Sequence, residues 1–314
     1  MKKRTIIVTT VGRDRPGIVA GISKILYKYN ANILKSRASI LGEMFAMVMV
    51  VDVSNISVSL TKLLSELKDE GVKLGSGISV EDEKTYREKK KIIAFDMDGT
   101  LVNMEIIDEM AKLAGVEDKV KDITRKAMEG KISFKEALAE RVSLLKGLPL
   151  SKLEKLKNKL ELSVGVQDLI GELKKAGFVI AIITGGFDIF ANYIAEKLGV
   201  KYVYANKLEV KNGILTGRFK GNILSPEDKL KALIDIAKKE KVSLSKCIAI
   251  GDGANDILLL KKSGLGIGYK PKKVVKQHIN TLIGDEDLRT ATVFIGVGGS
   301  QIRREISRFV KARR

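Results

Sequence analysis

Apolar positions along the first eighty residues alternate between two periods. Residues 5–11 form a β-branched run that reads as a strand. Behind the turn Asp14-Arg15-Pro16-Gly17, Ile18, Ile22, Ile25, Leu26 and Tyr29 recur at helical spacing. Residues 32–41 and 44–53 read as two strands joined by a hairpin at Gly42-Glu43. Leu60, Leu63, Leu64 and Leu67 stripe a second helix over 59–70, and 72–80 reads as a final strand broken by Gly75 and Gly77. The order is β-α-β-β-α-β. The segment 81–91, EDEKTYREKKK, is nearly all charged and reads as a boundary, either a linker or an exposed helix.

From residue 92 strands and helices alternate. Residues 92–95, 179–183, 247–250 and 265–267 are short buried strands, and 104–165 is helical with no convincing strand. Residues 202–206 and 217–221 bracket a small β region that turns at Asn212-Gly213. The expected class is α/β: a parallel, doubly wound sheet with a helical cap inserted after its first strand. It follows an N-terminal ferredoxin-like βαββαβ unit. The expected boundaries are 1–82 for that unit, 83–91 for the linker and 92–314 for the α/β domain, with the cap at about 104–165.

Composition narrows the chemistry. The chain has 314 residues, 45% apolar and 30% charged, an ordinary globular balance. One cysteine, Cys247, and one histidine, His278, exclude a structural zinc site and an intrachain disulfide. A nucleophile–histidine triad would have to use His278, which lies in a lysine-rich stretch with no nucleophile motif. Catalysis is left to carboxylates, hydroxyls, lysines or a bound metal. The first residues do not read as a signal peptide, and no apolar run approaches the ~18 residues of a membrane span. A cytoplasmic protein is expected. The net charge is +19, and residues 261–314 carry thirteen basic against four acidic residues. This reads as a solvated surface or as steering of an anionic substrate. The alternative is a nucleic-acid or membrane patch, but no sustained aromatic interleaving supports single-strand binding, and neither a nucleic acid nor a membrane is expected as a partner.

Three strand ends carry polar clusters. The first is Asp96, Asp98, Gly99 and Thr100 in IIAFDMDGT; the second is Thr184, Gly185 and Gly186 in IAIITGG; the third is Asp252, Asn255 and Asp256 in CIAIGDGANDI. Lys229 lies on the helix leading into the third strand. Active sites of such sheets form at the carboxyl ends of the strands. Carboxylates gathered there repel unless a cation sits among them, and oxygen-only ligands favour Mg²⁺. Thr184 with the amides of Gly185 and Gly186, placed at a helix start, would hold an anion, and Lys229 would add a point charge. Metal, anion pocket and a free carboxylate suit phosphoryl transfer.

These motifs, in this order over about residues 92–290, resemble the four motifs of the haloacid-dehalogenase superfamily. The resemblance implies Asp96 as nucleophile and Asp98 as the acid that protonates the leaving oxygen and later activates water. It also implies Mg²⁺ held by Asp96, the Asp98 carbonyl and Asp252. Thr184, Gly185 and Lys229 would hold the phosphoryl oxygens, with Asn255 and Asp256 in support. The stretches LVNMEIIDEMAKLAGVEDKVKDIT, AMEGKISFKEALAERVSLLKGLP and ITGGFDIFANYIAEKLG are similar to the phosphoserine phosphatase family. That likeness implies Glu105 on the substrate ammonium, Arg141 on its carboxylate, and Met128 and Phe134 as apolar walls. The first 82 residues resemble an ACT domain through the βαββαβ order and the turn GRDRPGIV. It implies amino-acid binding between paired domains by Asp14, Gly17 and Asn32, with L-serine as effector, or a unit that only dimerises. Two rivals stay open: a phosphotransferase of the same fold passing the group to an alcohol such as homoserine, and a ligand-sensing or nucleic-acid-binding regulator. Residues 292–314 are expected to form an edge strand and a basic surface helix.

Overall fold

The computed structural model describes residues 4–41, 44–284 and 287–297. The hairpin expected at Gly42-Glu43 and most of the basic tail lie outside them. The N-terminal unit runs β1 (Thr5–Arg13), α1 (Ile18–Lys28), β2 (Asn32–Leu41), β3 (Met44–Asp52), α2 (Leu60–Lys73) and β4 (Ser76–Asp82). Its strands lie in the order β2-β3-β1-β4, all antiparallel. Period-two alternation divides β1 between two cores. Ile6 and Val8 pack under α1 and α2, while Ile7 and Val11 face the other side of the sheet.

The second helix is longer than its leucine stripe indicates. Ser59 caps it through the amide of Lys62, and it continues to Lys73. The strand expected to start at residue 72 therefore starts at Ser76. Gly75, at φ +59, makes the reversal, and Val72 stays 45% exposed on the helix. The charged segment completes β4 as far as Asp82 and then forms α3 (Glu83–Arg87), which packs on β1 and β4.

The α/β part follows as β5 (Ile92–Phe95), α4 (Ile106–Ala114), α5 (Glu117–Met128), α6 (Phe134–Ser143), α7 (Leu150–Lys157), α8 (Val166–Lys175), β6 (Val179–Phe187), α9 (Asp188–Leu198) and β7 (Tyr202–Asn206). Then come β8 (Leu208–Lys211), β9 (Ile214–Phe219), α10 (Pro226–Lys239), β10 (Cys247–Gly251), α11 (Ile257–Lys262), β11 (Leu265–Tyr269), α12 (Lys273–His278), β12 (Thr281–Ile283) and α13 (Ala291–Ile295). The six strands β12-β11-β10-β5-β6-β7 are parallel. Side chains of α8, α9 and α13 fill one core and those of α10 and α11 another, so the sheet is wound on both faces. Helices α4–α7 form the cap. The β8–β9 hairpin turns at Asn212 and Gly213 and braces the cap through Leu150 N–H to Gly213 O and Leu215 N–H to Leu148 O.

β12 decides how the two parts join. It pairs in parallel with β11 and antiparallel with β4, so both sheets merge into one of ten strands. Ser79 and Thr281 face each other in this register, as do Ile78 and Leu282. Lys68 of α2 is 9% exposed and donates to the carbonyls of Lys276 and Ile279 at the end of α12, both at 3.2 Å. A cation at a helix C-terminus meets carbonyls that have no partner of their own. Of residues 292–314, expected to hold an edge strand and a basic surface helix, only 292–297 are described. Residues 291–295 form α13, with Phe294 and Ile295 buried in the core shared with α8; the rest of the segment lies outside the described residues.

Candidate active site

β5 and β10 are parallel neighbours with Phe95 opposite Ile250. In this register Asp96 stands level with Gly251, and Asp252 follows one position later at the same carboxyl edge. The Asp96 amide donates to Ile250 O at 2.9 Å. Oxygens of Asp96, Asp252 and Asp256 lie within 4.8 Å of one another, and all three residues are buried. Lys229 is 1% exposed and lies 2.7 Å from Asp256 Oδ1 and 3.1 Å from Asp96 Oδ1. Its helix α10 starts at a capping box of Ser225 and Asp228 with Pro226 as first residue, which sets the register that turns Lys229 inward.

The electrostatics follow from burial. Burial works against the charge on Lys229, but Asp256 and Asp96 outweigh it and hold the ammonium above its ordinary value. Burial raises Asp252 to about 6, with Lys272 pulling the other way. Asp98 is pushed well above the carboxylate range by burial, then by Glu105 and Asp96. Its Oδ1 accepts from the Ile106 amide at 3.1 Å. A carboxyl kept protonated beside ionised ones can donate a proton.

The second motif departs from expectation in its local structure. Thr184-Gly185-Gly186 belongs to the extended stretch β6, which bulges against β7 between Ile183 and Phe187, and the helix begins only at Asp188. The stretch expected to hold an anion is thus a bulged strand end rather than a helix N-terminus. The Gly186 amide donates to Thr184 Oγ1 at 2.9 Å. A Cβ on Gly186 would stand 2.6 Å from Asp98 Oδ2 and 2.8 Å from Met97 Cε, so any larger residue there must push this acid or Met97 aside. A Cβ on Gly185 would meet Phe134 Cζ at 3.3 Å, Asn255 Nδ2 at 3.5 Å and Lys229 Cε at 4.0 Å. Cap, loop, third motif and lysine converge there.

The cap residues divide. Ser133 and Glu136 form a capping box that starts α6 at Phe134 and carries Arg141 in its last turn. Arg141 donates to Ala137 O at 3.3 Å and Thr124 Oγ1 at 3.5 Å and makes no ion pair among the described residues. Burial lowers its guanidinium from the ordinary value, and Glu105, Asp108 and Asp98 are the acids that oppose this. Glu105 precedes α4 and bonds Lys272. Met128 is not brought to the site: it ends α5 with 83% of its surface in solvent. In the N-terminal unit, Asp14, Gly17 and Asn32 are exposed. Asn32 pairs with Asp52 opposite Thr5, whereas Asp14 and Gly17 follow the far end of β1. At about 3.3 Å per residue, the nine residues of β1 keep them roughly 27 Å apart within one chain.

Two contributors carried no motif. Asn206, 1% exposed, donates to Gly185 O and accepts from the Leu224 amide, both at 2.7 Å, which holds the loop in place. A buried asparagine ending a strand was the available signal. Lys272 bridges Asp252 and Glu105. The oxygen-only set of buried acids fits a hard divalent cation better than a soft one.

The haloacid dehalogenase-like hydrolase model matches residues 93–261, and the ACT domain model matches residues 4–81. A phosphoserine phosphatase from Archaeoglobus fulgidus is 40% identical over 91% of this chain and 83% of its own length. The chain belongs to the phosphoserine phosphatase family of haloacid dehalogenase-like hydrolases. Among solved structures, a phospho-aspartyl intermediate analogue of phosphoserine phosphatase is 48% identical over 66% of this chain and 99% of that chain, with a TM-score of 0.62. A HAD family hydrolase from Salmonella enterica serovar Typhi is 26% identical over 93% of this chain and 98% of its own, with a TM-score of 0.79. This second likeness spans both parts of the fold. Among the described residues, no helix of this phosphatase is long and apolar enough to cross a membrane.

Proposed function

We propose that this chain hydrolyses O-phospho-L-serine to L-serine and phosphate through an aspartyl-phosphate on Asp96, as the last step of serine formation in the cytoplasm. One observation supports the substrate reading: Arg141, without an ion pair among the described residues, and Glu105 both lie near enough to Asp98 for their charges to act on it. An amino-acid head group needs one cation and one anion, and Arg141 and Glu105 supply them. Phe134 is the apolar wall; Met128 stands in solvent and takes no part in it.

The steps use this chain's own groups. A carboxylate oxygen of Asp96 attacks phosphorus, the bond from phosphorus to the serine oxygen breaks, and Asp98 gives that oxygen its proton. Asp98, now ionised, takes a proton from water, whose oxygen attacks phosphorus and frees Asp96. Thr184, the Gly185 amide and Lys229 hold the phosphoryl oxygens, and Asn255 supports them. Asp256 orients Lys229. Asp96, Asp252 and the carbonyl of Asp98 would hold Mg²⁺, with Asp256 beside them, and the bound ion would supply positive charge for the phosphoryl oxygens.

Phosphate release from phosphoserine, phosphothreonine, a sugar phosphate and a nucleotide, with Mg²⁺ and with chelator, tests the reading. Metal-dependent turnover dominated by phosphoserine is expected. Arg141→Ala should reduce phosphoserine turnover at least tenfold more than that of a small generic ester; equal losses would remove Arg141 from the substrate. For the ACT unit, L-serine is the proposed effector and a homodimer the proposed assembly. Within one chain Asn32 lies too far from Asp14 and Gly17, so a site built from all three needs two copies. Inhibition by L-serine that is not competitive with substrate, and is lost in Asp14→Ala, supports it; purely competitive inhibition places serine only in the catalytic pocket.

A further inference from the structure

Lys272 belongs to none of the motifs that define the site. It precedes α12, and its amide donates to Asp252 O at 2.9 Å. Its Nζ lies 2.9 Å from Glu105 Oε1 and 3.3 Å from Asp252 Oδ2. Glu105 opens the first cap helix, whereas Asp252 and Lys272 stand on the sheet domain, so the contact ties cap to core across 167 positions. Among the described residues no other cation pairs with Glu105: Lys229 is enclosed between Asp96 and Asp256, and Arg141 does not reach Glu105 at ion-pair distance.

A lysine Nζ and the α-ammonium of an amino acid are the same chemical group. Both are primary ammonium ions that donate to a carboxylate oxygen. We infer that Lys272 is a specificity-determining residue, an internal ammonium that occupies Glu105 until the substrate's own ammonium replaces it. The inference rests on the reading of Glu105 as the ammonium site.

The consequence for selectivity has a definite sign. The site gathers Asp96, Asp98, Glu105, Asp252 and Asp256, and a phosphate ester arrives as an anion. With Lys272 on Glu105, an ester that lacks an ammonium meets a neutralised carboxylate. An aminated ester must displace Lys272 before it gains that carboxylate. Removing Lys272 leaves Glu105 bare, which repels the first ester and attracts the second. Lys272 therefore narrows the difference between them. Both side chains are about half exposed, 53% for Lys272 and 46% for Glu105, so the effect is of surface-pair size.

The test compares kcat/KM for phosphoserine with kcat/KM for O-phospho-3-hydroxypropionate, the same ester with hydrogen in place of the ammonium. The ratio cancels any change common to both, including one at Asp252. In Lys272→Met the preference for phosphoserine should rise roughly two- to fivefold. Lys272→Arg, which keeps a cation able to reach Glu105, should stay near the parent ratio. An unchanged or lowered ratio in Lys272→Met overturns the inference, whatever happens to the absolute rates. Glu105→Gln separates the two levels. If it fails to lower the preference, the reading of Glu105 falls and Lys272's role falls with it. If it lowers the preference while Lys272→Met leaves the ratio unchanged, only the role of Lys272 falls.

Discussion

The hydroxyls of Ser79 and Thr281, 202 positions apart, share a buried hydrogen bond of 2.7 Å. It sits where β4 meets β12, so the ACT sheet and the phosphatase sheet are one structure and not two modules on a tether. Ile7, Val11, Ala46, Val48 and Val50 of the first sheet lie in the same core as Ile93, Phe95 and Ile283 of the second. Continuity of this kind favours a single cooperative unfolding transition.

Thr281→Val removes that hydroxyl at nearly constant volume. It should lower stability by about 1 kcal/mol, the net worth of one buried hydrogen bond. Calorimetry should still show one transition. Two separated transitions in the parent protein would contradict a shared core.

The same seam carries a pH response. Burial raises the Glu81 carboxyl to about 7, with Lys90 and the Ser79 hydroxyl pulling it down. A carboxyl raised on folding binds its proton more tightly in the native state. Its contribution is complete below about pH 4.5 and is lost as pH rises through about 7. Glu81→Gln should remove this part of the slope, so its advantage over the parent grows from pH 5 to about pH 8. Parallel melting curves for the two proteins across that range would exclude Glu81 as the source.

Asn206→Ala strips the partner from Gly185 O and from the Leu224 amide at a site 1% exposed. Each buried backbone group left unpaired costs about 1–3 kcal/mol. The Thr184–Gly186 stretch, proposed to hold the phosphoryl group, loses its anchor as well, so kcat should fall about tenfold or more. A lower melting temperature with unchanged kcat would make Asn206 a structural prop alone.

Two glycine substitutions should move in opposite directions. Gly186→Ala would set a methyl 2.6 Å from Asp98 Oδ2 and 2.8 Å from Met97 Cε, so kcat should fall by about a hundredfold as Asp98 is displaced. Gly171, within α8, has nothing within 4 Å of such a methyl. Gly171→Ala should stabilise by about 0.5–1 kcal/mol through helix propensity and leave turnover unchanged. Steady-state kinetics and melting curves on the pair read both effects.

Much of this was written in local pattern. The β-α-β-β-α-β order, the strands that end in Asp96 and Asp252, and the turn at Asn212-Gly213 follow from periodicity and turn chemistry, which depend on near neighbours. Glu105, Arg141 and Phe134 entered through family likeness, and the structure sets Phe134 at Gly185 while leaving Met128 in solvent. Other features were decided only by tertiary contact. β12 has three residues, too few to show an alternation, and its place beside β4 depends on a partner about 200 positions away. The loop form of Thr184-Gly185-Gly186 depends on β7 pairing across the bulge and on Asn206. Lys272 looked like one more lysine in a basic stretch. Chain folding brought Asp252 and Glu105 to it from two other segments, and with them its charge acquired a partner. Sequence determined which elements form and which groups end them, because those are local consequences of burial and turn geometry. The tertiary structure alone decided which distant edges and charges meet.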